Sequence, residues 1–248
     1  MKRIDELLFE KGLAPSRAKA RSLIEEGAVF CNAKVVDKPS RKFADDADIQ
    51  IKENSQSLKY VSRGGLKLEK ILDFCHLNVN GFSALDAGAS TGGFSDCLLQ
   101  RGVSSVLCVD IGSGQLHKTL LENPKVTNLE KFDVRDLTLD NAKNSPFDII
   151  VGDLSFISLE KVLETLWLLL KKGGYLLCLV KPQFETDKAL IRRSKGILRD
   201  EEKRLECLDK IKSFVETNLE KSKILAVCES PILGGDGNKE FLIAVEKS

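Results

Sequence analysis

No CxxC pair occurs among the seven cysteines (Cys31, Cys75, Cys97, Cys108, Cys178, Cys207 and Cys228), which lie singly along the 248 residues. Without that spacing there is no ligand set for zinc. An odd count is also a poor disulfide framework, so a reducing, cytoplasmic setting and no bound metal are expected. Several of the thiols sit inside apolar runs, as in "SSVLCVD" and "YLLCLVK", where cysteine acts as a small core side chain. Long apolar runs are missing too: a stretch such as "YLLCLV" is far too short to cross a bilayer. The opening "MKRIDELLFEKG" interleaves charge with apolar residues and does not read as a signal peptide. Internal repeats and low-complexity tracts are absent. The composition left, 42% hydrophobic and 30% charged, is that of a globular chain long enough for one large domain, or a medium one plus a small one.

The net charge of +1 hides an uneven distribution. Residues 1–67 hold fourteen Lys/Arg against ten Asp/Glu, and the remainder holds twenty-four against twenty-seven. A basic front on an acidic body points to a polyanionic partner for the N-terminal part. Residues 1–60 read as its domain. Ile4, Leu7 and Leu8 have helical spacing, and Gly12 closes that helix. Pro15–Ser16 opens a second, "SRAKARSLIEEG", with Ala18, Leu23 and Ile24 expected inward and Arg17, Lys19 and Arg21 outward. "AVFCN", "AKVVDKPSRKF" and "DADIQIKE" then read as small strands. Residues 54–66 read as a linker with a hinge at Gly64–Gly65, and Leu66–Phe74 as a helix.

Residues 61–248 alternate strands with helices. Candidate strands are "SALDAG", "SSVLCVD", "VTNLE", "FDIIVGD", "GYLLCLVK", "KILAVCES" and "EFLIAVEK", with helices over 92–101, 158–171 and 200–218. This pattern implies a mostly parallel seven-stranded sheet covered on both faces. Only "PILGGDGNK" separates the last two strands, too little for a helical crossover, so the final strand is expected to be antiparallel.

The loop in "LDAGASTGGFSDCLLQRG" carries the chemistry. A dinucleotide fingerprint needs G-x-G-x-x-G, but Ser90 stands at the middle glycine between Gly88 and Gly92–Gly93, and the lysine of a phosphate-binding loop is missing. Asp86, two residues before the first glycine, would repel a phosphate and suits a cationic ammonium, as in S-adenosylmethionine. Asp110 ends the next strand, placed to accept from ribose hydroxyls. Four charged residues, Lys67, Asp153, Lys181 and Glu240, are candidates for the reaction itself. Asp153 and Lys181 each end an apolar strand, where a charge has no packing reason to be.

Two resemblances follow from these residues. "SRAKARSLIEEGAVFCNAKVV" is similar to the small S4-like domain of ribosomal and RNA-modifying proteins, which implies an N-terminal α+β RNA-binding domain. The order Lys67–Asp153–Lys181–Glu240, with "DAGASTGGF" between its first two members, resembles the FtsJ-like ribose 2′-O-methyltransferases. With "VSRGGLKLEKIL", "GDLSFISL", "VKPQFE" and "KGILRD", essentially the whole chain resembles the TlyA, or haemolysin A-like, family.

That resemblance implies a Rossmann-like class I methyltransferase using S-adenosylmethionine to methylate a cytidine 2′-oxygen in 23S ribosomal RNA, or in both 23S and 16S. It implies a donor site running from Asp86, Gly88, Ala89 and Ser90 through Gly92, Gly93 and Phe94. Asp110, Ile111, Asp133 and Val134 complete that site. The tetrad is then catalytic, with Lys181 on the 2′-oxygen. RNA contacts are expected from Arg17, Lys19, Arg21, Lys34 and Arg63, and from a rim clamp at Arg192, Arg193 and Lys195 that pivots on Gly196. Ribosomal subunits are the expected partners, with a monomer favoured. A non-catalytic ribosome-binding factor or a cytolysin are the alternatives; the first would lack the donor loop, and the second needs an insertion segment.

Overall fold

The computed structural model describes residues 1–52, 55–143, 146–194, 196–234 and 237–248, with the side chains of Lys188 and Arg193 left aside. The expected RNA contacts of Lys195 and of the Arg193 side chain, and the Asn54 end of the expected linker, therefore lie outside the described residues. The chain forms two compact units, Met1–Arg63 and Gly64–Ser248.

The first unit contains helices α1 (Ile4–Glu10) and α2 (Arg17–Glu25). Its strands are β1 (Lys2–Arg3), β2 (Val29–Cys31), β3 (Lys34–Val35), β4 (Lys42–Phe43) and β5 (Ile49–Ile51). β2 pairs antiparallel with β3 and β5, and β1 with β4. Ser16 starts α2 by accepting from the Lys19 amide at 3.1 Å, satisfying one of the amides a helix start leaves open. The buried face of α2 is Lys19, Ala20, Leu23 and Ile24, packed with Ile4 and Leu8. Ala18, expected inward, is exposed, because Ala20 rather than Ala18 lies one turn from Leu23 and Ile24.

Residues 55–57 are held to the first unit rather than running free. Glu26 accepts from the Ser55 hydroxyl (2.6 Å) and from the Gln56 and Ser57 amides (both 2.8 Å). Gly64 and Gly65, expected as a hinge, are instead the first two residues of helix α3 (Gly64–Phe74).

The second unit continues with β6 (Ser83–Ala87), α4 (Gly93–Gln100), β7 (Ser105–Asp110), α5 (Lys118–Leu121), β8 (Val126–Glu130) and β9 (Phe147–Gly152). Next come α6 (Leu163–Leu168), β10 (Leu170–Val180), α7 (Pro182–Glu185) and α8 (Lys188–Arg193). α9 (Glu201–Asn218), β11 (Ser222–Glu229) and β12 (Phe241–Lys247) close the chain. The sheet order is β11-β12-β10-β9-β6-β7-β8, and β12 runs antiparallel to both of its neighbours. Leu85, Leu107, Ile150, Leu176 and Val180 are all buried, as a sheet covered on both faces requires. Cys97, Cys108 and Cys178 are fully buried, and burial pushes the Cys178 thiol up to about 12. They serve as core side chains, as their apolar neighbours implied.

The helix expected over 158–171 is split. A 3-10 turn at Leu159–Lys161 precedes α6, and strand pairing has begun by Leu170, opposite Phe147. Gly173, at φ +78°, marks the register shift between Leu170 and Tyr175. Since β6 to β8 step one way across the sheet and β9 and β10 the other, the order reverses at β6/β9. That is where an open parallel sheet leaves a crevice beyond its strand ends.

Candidate active site

The four charged candidates converge at that reversal. Asp153 directly follows β9, Lys181 follows β10, Glu240 precedes β12, and Lys67 sits on the inward face of α3 beside Leu68. The Lys67 Nζ donates to Glu240 Oε2 at 2.7 Å and lies 3.8 Å from Asp153 Oδ2. The Lys181 Nζ is 2.5 Å from Asp153 Oδ1 and donates to the Ser155 hydroxyl at 2.8 Å. Lys67, Lys181 and Glu240 are buried and the Asp153 side chain is one-quarter exposed, so Asp153 bridges two lysines at the edge of solvent. Breaking a buried ion pair of this kind leaves an uncompensated charge, at about 3–5 kcal/mol. Each member therefore also braces the fold.

Ser155, Phe156, Phe184 and Glu185 are site residues that the sequence did not single out. Pro182 ends the strand and begins α7, which carries Phe184 and Glu185. The buried Glu185 carboxylate accepts from the Ser158 hydroxyl (2.5 Å) and the Leu159 amide (2.8 Å). It thereby ties the segment after Lys181 to the segment after Asp153. Burial raises the Glu185 pKa above its ordinary value, against those hydrogen bonds. Phe156 is 88% exposed at φ +64°, unusual for a bulky side chain, and its ring centroid lies 5.2 Å from that of Phe184.

A cleft of about 740 Å³ runs from these aromatics past Asp153 to the glycine loop. Of the expected donor residues, Gly88, Ser90, Asp110, Ile111, Asp133 and Val134 line it. Asp86, Ala89, Gly92, Gly93 and Phe94 do not; they are buried around it. The reason is visible at Asp86, which has no exposed surface and whose Oδ2 accepts from the Ser95 amide (2.9 Å) and hydroxyl (2.6 Å). Through that oxygen it pins the first turn of α4 under the loop. Burial drives its pKa up to about 7, despite the Ser95 hydrogen bonds. Its Oδ1 has no hydrogen-bond partner among the described residues.

Gly88 is at φ +82°, and a Cβ there would come within 3.0 Å of the Asp153 carbonyl oxygen. The glycine thus lets the loop touch the chain just after β9. The Asp110 carboxylate accepts from the Ser90 (2.8 Å) and Gly112 (2.7 Å) amides. Hydrogen bonds from Arg135 hold the Asp133 carboxyl below the usual range.

The expected RNA residues divide differently. Lys34 and Arg192 are exposed, and Arg63 pairs with Glu25 at 3.0 Å. Arg17 and Arg21 are half-exposed but both engage Asp5. Lys19 is not outward: it is buried, and its amine donates to the Tyr60 carbonyl. At Gly196, the buried Asn238 donates to the carbonyl and accepts from the Leu198 amide, both at 2.9 Å. Among the described residues no helix is long and apolar enough to cross a membrane.

A doubly covered sheet with a glycine loop after its first strand, and a Lys–Asp–Lys–Glu cluster at the adjoining strand ends, defines a Rossmann-like methyltransferase. The FtsJ-like methyltransferase family matches residues 60–247, and the S4 domain family matches residues 2–49. The chain belongs to the FtsJ-like methyltransferases, with an S4 domain in front. It is 41% identical over 97% of its length, and 84% of the relative's, to a Bacillus subtilis protein named "Putative rRNA methyltransferase YqxC". It is 36% identical over 97% of its length, and 88% of the relative's, to "16S/23S rRNA (cytidine-2'-O)-methyltransferase TlyA" of Mycobacterium tuberculosis. A solved structure described as "Putative hemolysin from Streptococcus thermophilus" superposes with a TM-score of 0.76 at 36% identity, covering all of this chain and 88% of that one. The resemblance to the TlyA, or haemolysin A-like, family is borne out.

Proposed function

We propose that the protein methylates the 2′-oxygen of a cytidine ribose in ribosomal RNA, with S-adenosylmethionine as donor. The observation that carries the reading is the meeting of Lys67, Lys181 and Glu240 around Asp153, which lines the cleft that the glycine loop borders. The relatives named for rRNA (cytidine-2'-O) methylation supply the substrate. The cleft fits the donor chemically. Asp110 can accept from ribose hydroxyls, Ile111 and Val134 offer apolar walls for a purine, and Asp133 offers an acceptor for an exocyclic amine. S-adenosylmethionine held there supplies an electrophilic methyl group.

The residues of the chain then have separable tasks. Lys181, as the neutral amine once its ammonium proton has passed to solvent, orients the hydroxyl in line with the methyl carbon and takes its proton as the carbon–oxygen bond forms and the carbon–sulfur bond breaks. Orientation is the larger share of the gain, since the hydroxyl is a weak nucleophile. Asp153 and Ser155 fix the position of Lys181. Glu240 fixes Lys67, which pairs with the second carboxylate oxygen of Asp153 and so holds that residue in place. Phe156 and Phe184 offer ring faces for an unstacked base, the usual way a protein holds a single nucleotide.

Lys181→Ala is the decisive variant, because Asp153 keeps Lys67 as a partner when Lys181 is removed. Calorimetry is expected to give a donor affinity within a few-fold of wild type, while single-turnover transfer to ribosomal RNA falls by about a hundredfold or more. Wild-type single-turnover rates would remove Lys181 from the reaction, and absent donor binding by the wild type would remove the whole reading.

A further inference from the structure

Asp153 and Lys181 lie past the paired part of the sheet, where no ladder holds them together. β9 and β10 pair as far as Gly152 and Cys178, and the two charged residues come one and three positions later. Their heads nevertheless meet, with Lys181 Nζ 2.5 Å from Asp153 Oδ1. Contacts beyond the strand ends must set that spacing.

The segment after each residue carries one half of a clamp. On the Lys181 side the chain turns at once into α7, where the Phe184 amide donates to the Lys181 carbonyl at 2.8 Å and Glu185 follows. On the Asp153 side, Ser155 accepts from the Lys181 amine at 2.8 Å, and Ser158 and Leu159 come shortly after it. The Glu185 carboxylate closes the gap: Oε2 accepts from the Ser158 hydroxyl at 2.5 Å and Oε1 from the Leu159 amide at 2.8 Å. With both oxygens engaged, the group is fixed in rotation as well as in distance.

Other contacts between these segments are looser. Phe156 and Phe184 meet at 5.2 Å between ring centroids, a packing contact that tolerates sliding. α9 touches both segments, through Cys207 to the Pro182 carbonyl at 3.6 Å and through Lys210 to Glu160 at 2.6 Å. A thiol is a weak donor, and the half-exposed Lys210 pair contributes little. Glu185 itself is buried, and burial works against its charge. A neutral side chain would cost less there if packing were its only task.

We propose that Glu185 is a positioning residue for methyl transfer, acting through Lys181 by holding its strand end at a fixed distance from the Asp153–Ser155 segment. The proposal rests on the role given to Lys181 above. Glu185 touches neither ribose nor donor; it acts on the rate because a displacement of about 1 Å at a reacting group can cost about a hundredfold.

The test is single-turnover transfer to unmodified ribosomal subunits, at saturating donor and subunits, by Glu185→Ala, Lys181→Ala and the double variant. Glu185→Ala is expected to lower the rate about tenfold, with affinities for donor and subunits within a few-fold of wild type. In the Lys181→Ala background the same substitution is expected to change the rate by less than about twofold, because the group it positions is already gone. A side chain that merely supported the fold would lower the rate alike in both backgrounds. Thermal melts accompany the variants. Should Glu185→Ala unfold, Ser158→Ala decides, since it cuts one bond of the clamp and leaves Glu185 the Leu159 amide. That variant is expected to lose rate several-fold, and only where Lys181 is present.

An unchanged rate for the folded variant, or a loss that persists in the Lys181→Ala background, overturns the proposal and leaves the methyltransferase reading intact. Lys181→Ala as fast as wild type overturns the proposal together with the role of Lys181. A wild-type chain that transfers no methyl group overturns the reading itself as well.

Discussion

Gly88 shows how much one missing Cβ decides. Its φ of +82° already disfavours any side chain, and the nearest obstacle to a Cβ is the backbone carbonyl of Asp153. That carbonyl belongs to a residue whose amide is bonded to the Ala87 carbonyl at 3.1 Å, so it has little room to retreat. Valine adds β-branching to the wrong half of conformational space, a strain of about 1–3 kcal/mol. Gly88→Val is therefore expected to lower stability by that order and to displace the Asp153 carboxylate from between the lysines. Calorimetry should show donor binding lost in the folded variant, and transfer assays should show activity lost with it. A folded Gly88→Val with wild-type donor affinity would show that the loop and the strand end are not mechanically linked. The close approach was legible as a glycine in the sequence, but its neighbour was not. Nothing in the spacing says that residue 88 touches residue 153. Lys67 and Glu240 make the same point, being in contact across 173 positions. Their charges stood out only because strand ends and a family resemblance marked the places.

Elements were legible where burial is two-sided and length is sufficient. All seven strands of the large sheet are found near their expected places, the central ones carrying apolar runs such as "IIV" in β9 and "YLLCLV" in β10. The 158–171 segment misled because its apolar residues continue from α6 into β10 with no glycine before Gly173. Helices α5, α7 and α8, of four, four and six residues, are too short to show a period. Helix α4 owes its position to Asp86, whose carboxylate holds Ser95. This contact has a consequence for pH dependence. Asp86 binds its proton more tightly folded, with a pKa of about 7, than unfolded at the ordinary 3.8. Between those values the native chain holds the extra proton, so its stability falls as pH rises and levels off above about 7. Asp86→Asn keeps an oxygen for Ser95 and cannot ionise. Relative to wild type, the variant should gain stability steadily from pH 4 to pH 7 in urea melts. A difference that stays constant over that range would mean that Asp86 ionises as readily folded as unfolded.

At the scale of the molecule, the two units have separate cores. Ile4, Leu8, Leu23 and Val29 anchor one, and the large sheet with α6 and α9 builds the other. The tetrad and the cleft lie wholly within Gly64–Ser248. If the first unit supplies the grip on RNA, Gly64–Ser248 alone should bind S-adenosylmethionine within a few-fold of the full chain. Its transfer to ribosomal RNA should nevertheless fall by roughly a hundredfold, because a weakly nucleophilic hydroxyl depends on being held in place. The two proteins should also differ in salt response. Each phosphate contact supplied by the first unit contributes to the slope of log affinity against log salt, so the truncated chain should bind RNA both weakly and with a shallower slope. Charge reversal at Lys34, which is exposed and whose side chain has no hydrogen-bond or ion-pair partner among the described residues, should move the full chain part of the way towards that behaviour. Lys19 is unsuitable for this comparison, because its buried amine is bonded to the Tyr60 carbonyl and reversal would disrupt the fold as well as the charge. Methylation assays of the full, truncated and Lys34→Glu proteins from low to high salt separate the possibilities. Equal rates throughout would mean that the methyltransferase unit selects its RNA unaided. A truncated chain that recovers only at low salt would mean that the first unit contributes affinity alone. A deficit at every salt concentration would mean that it also sets the register of the ribose in the active site.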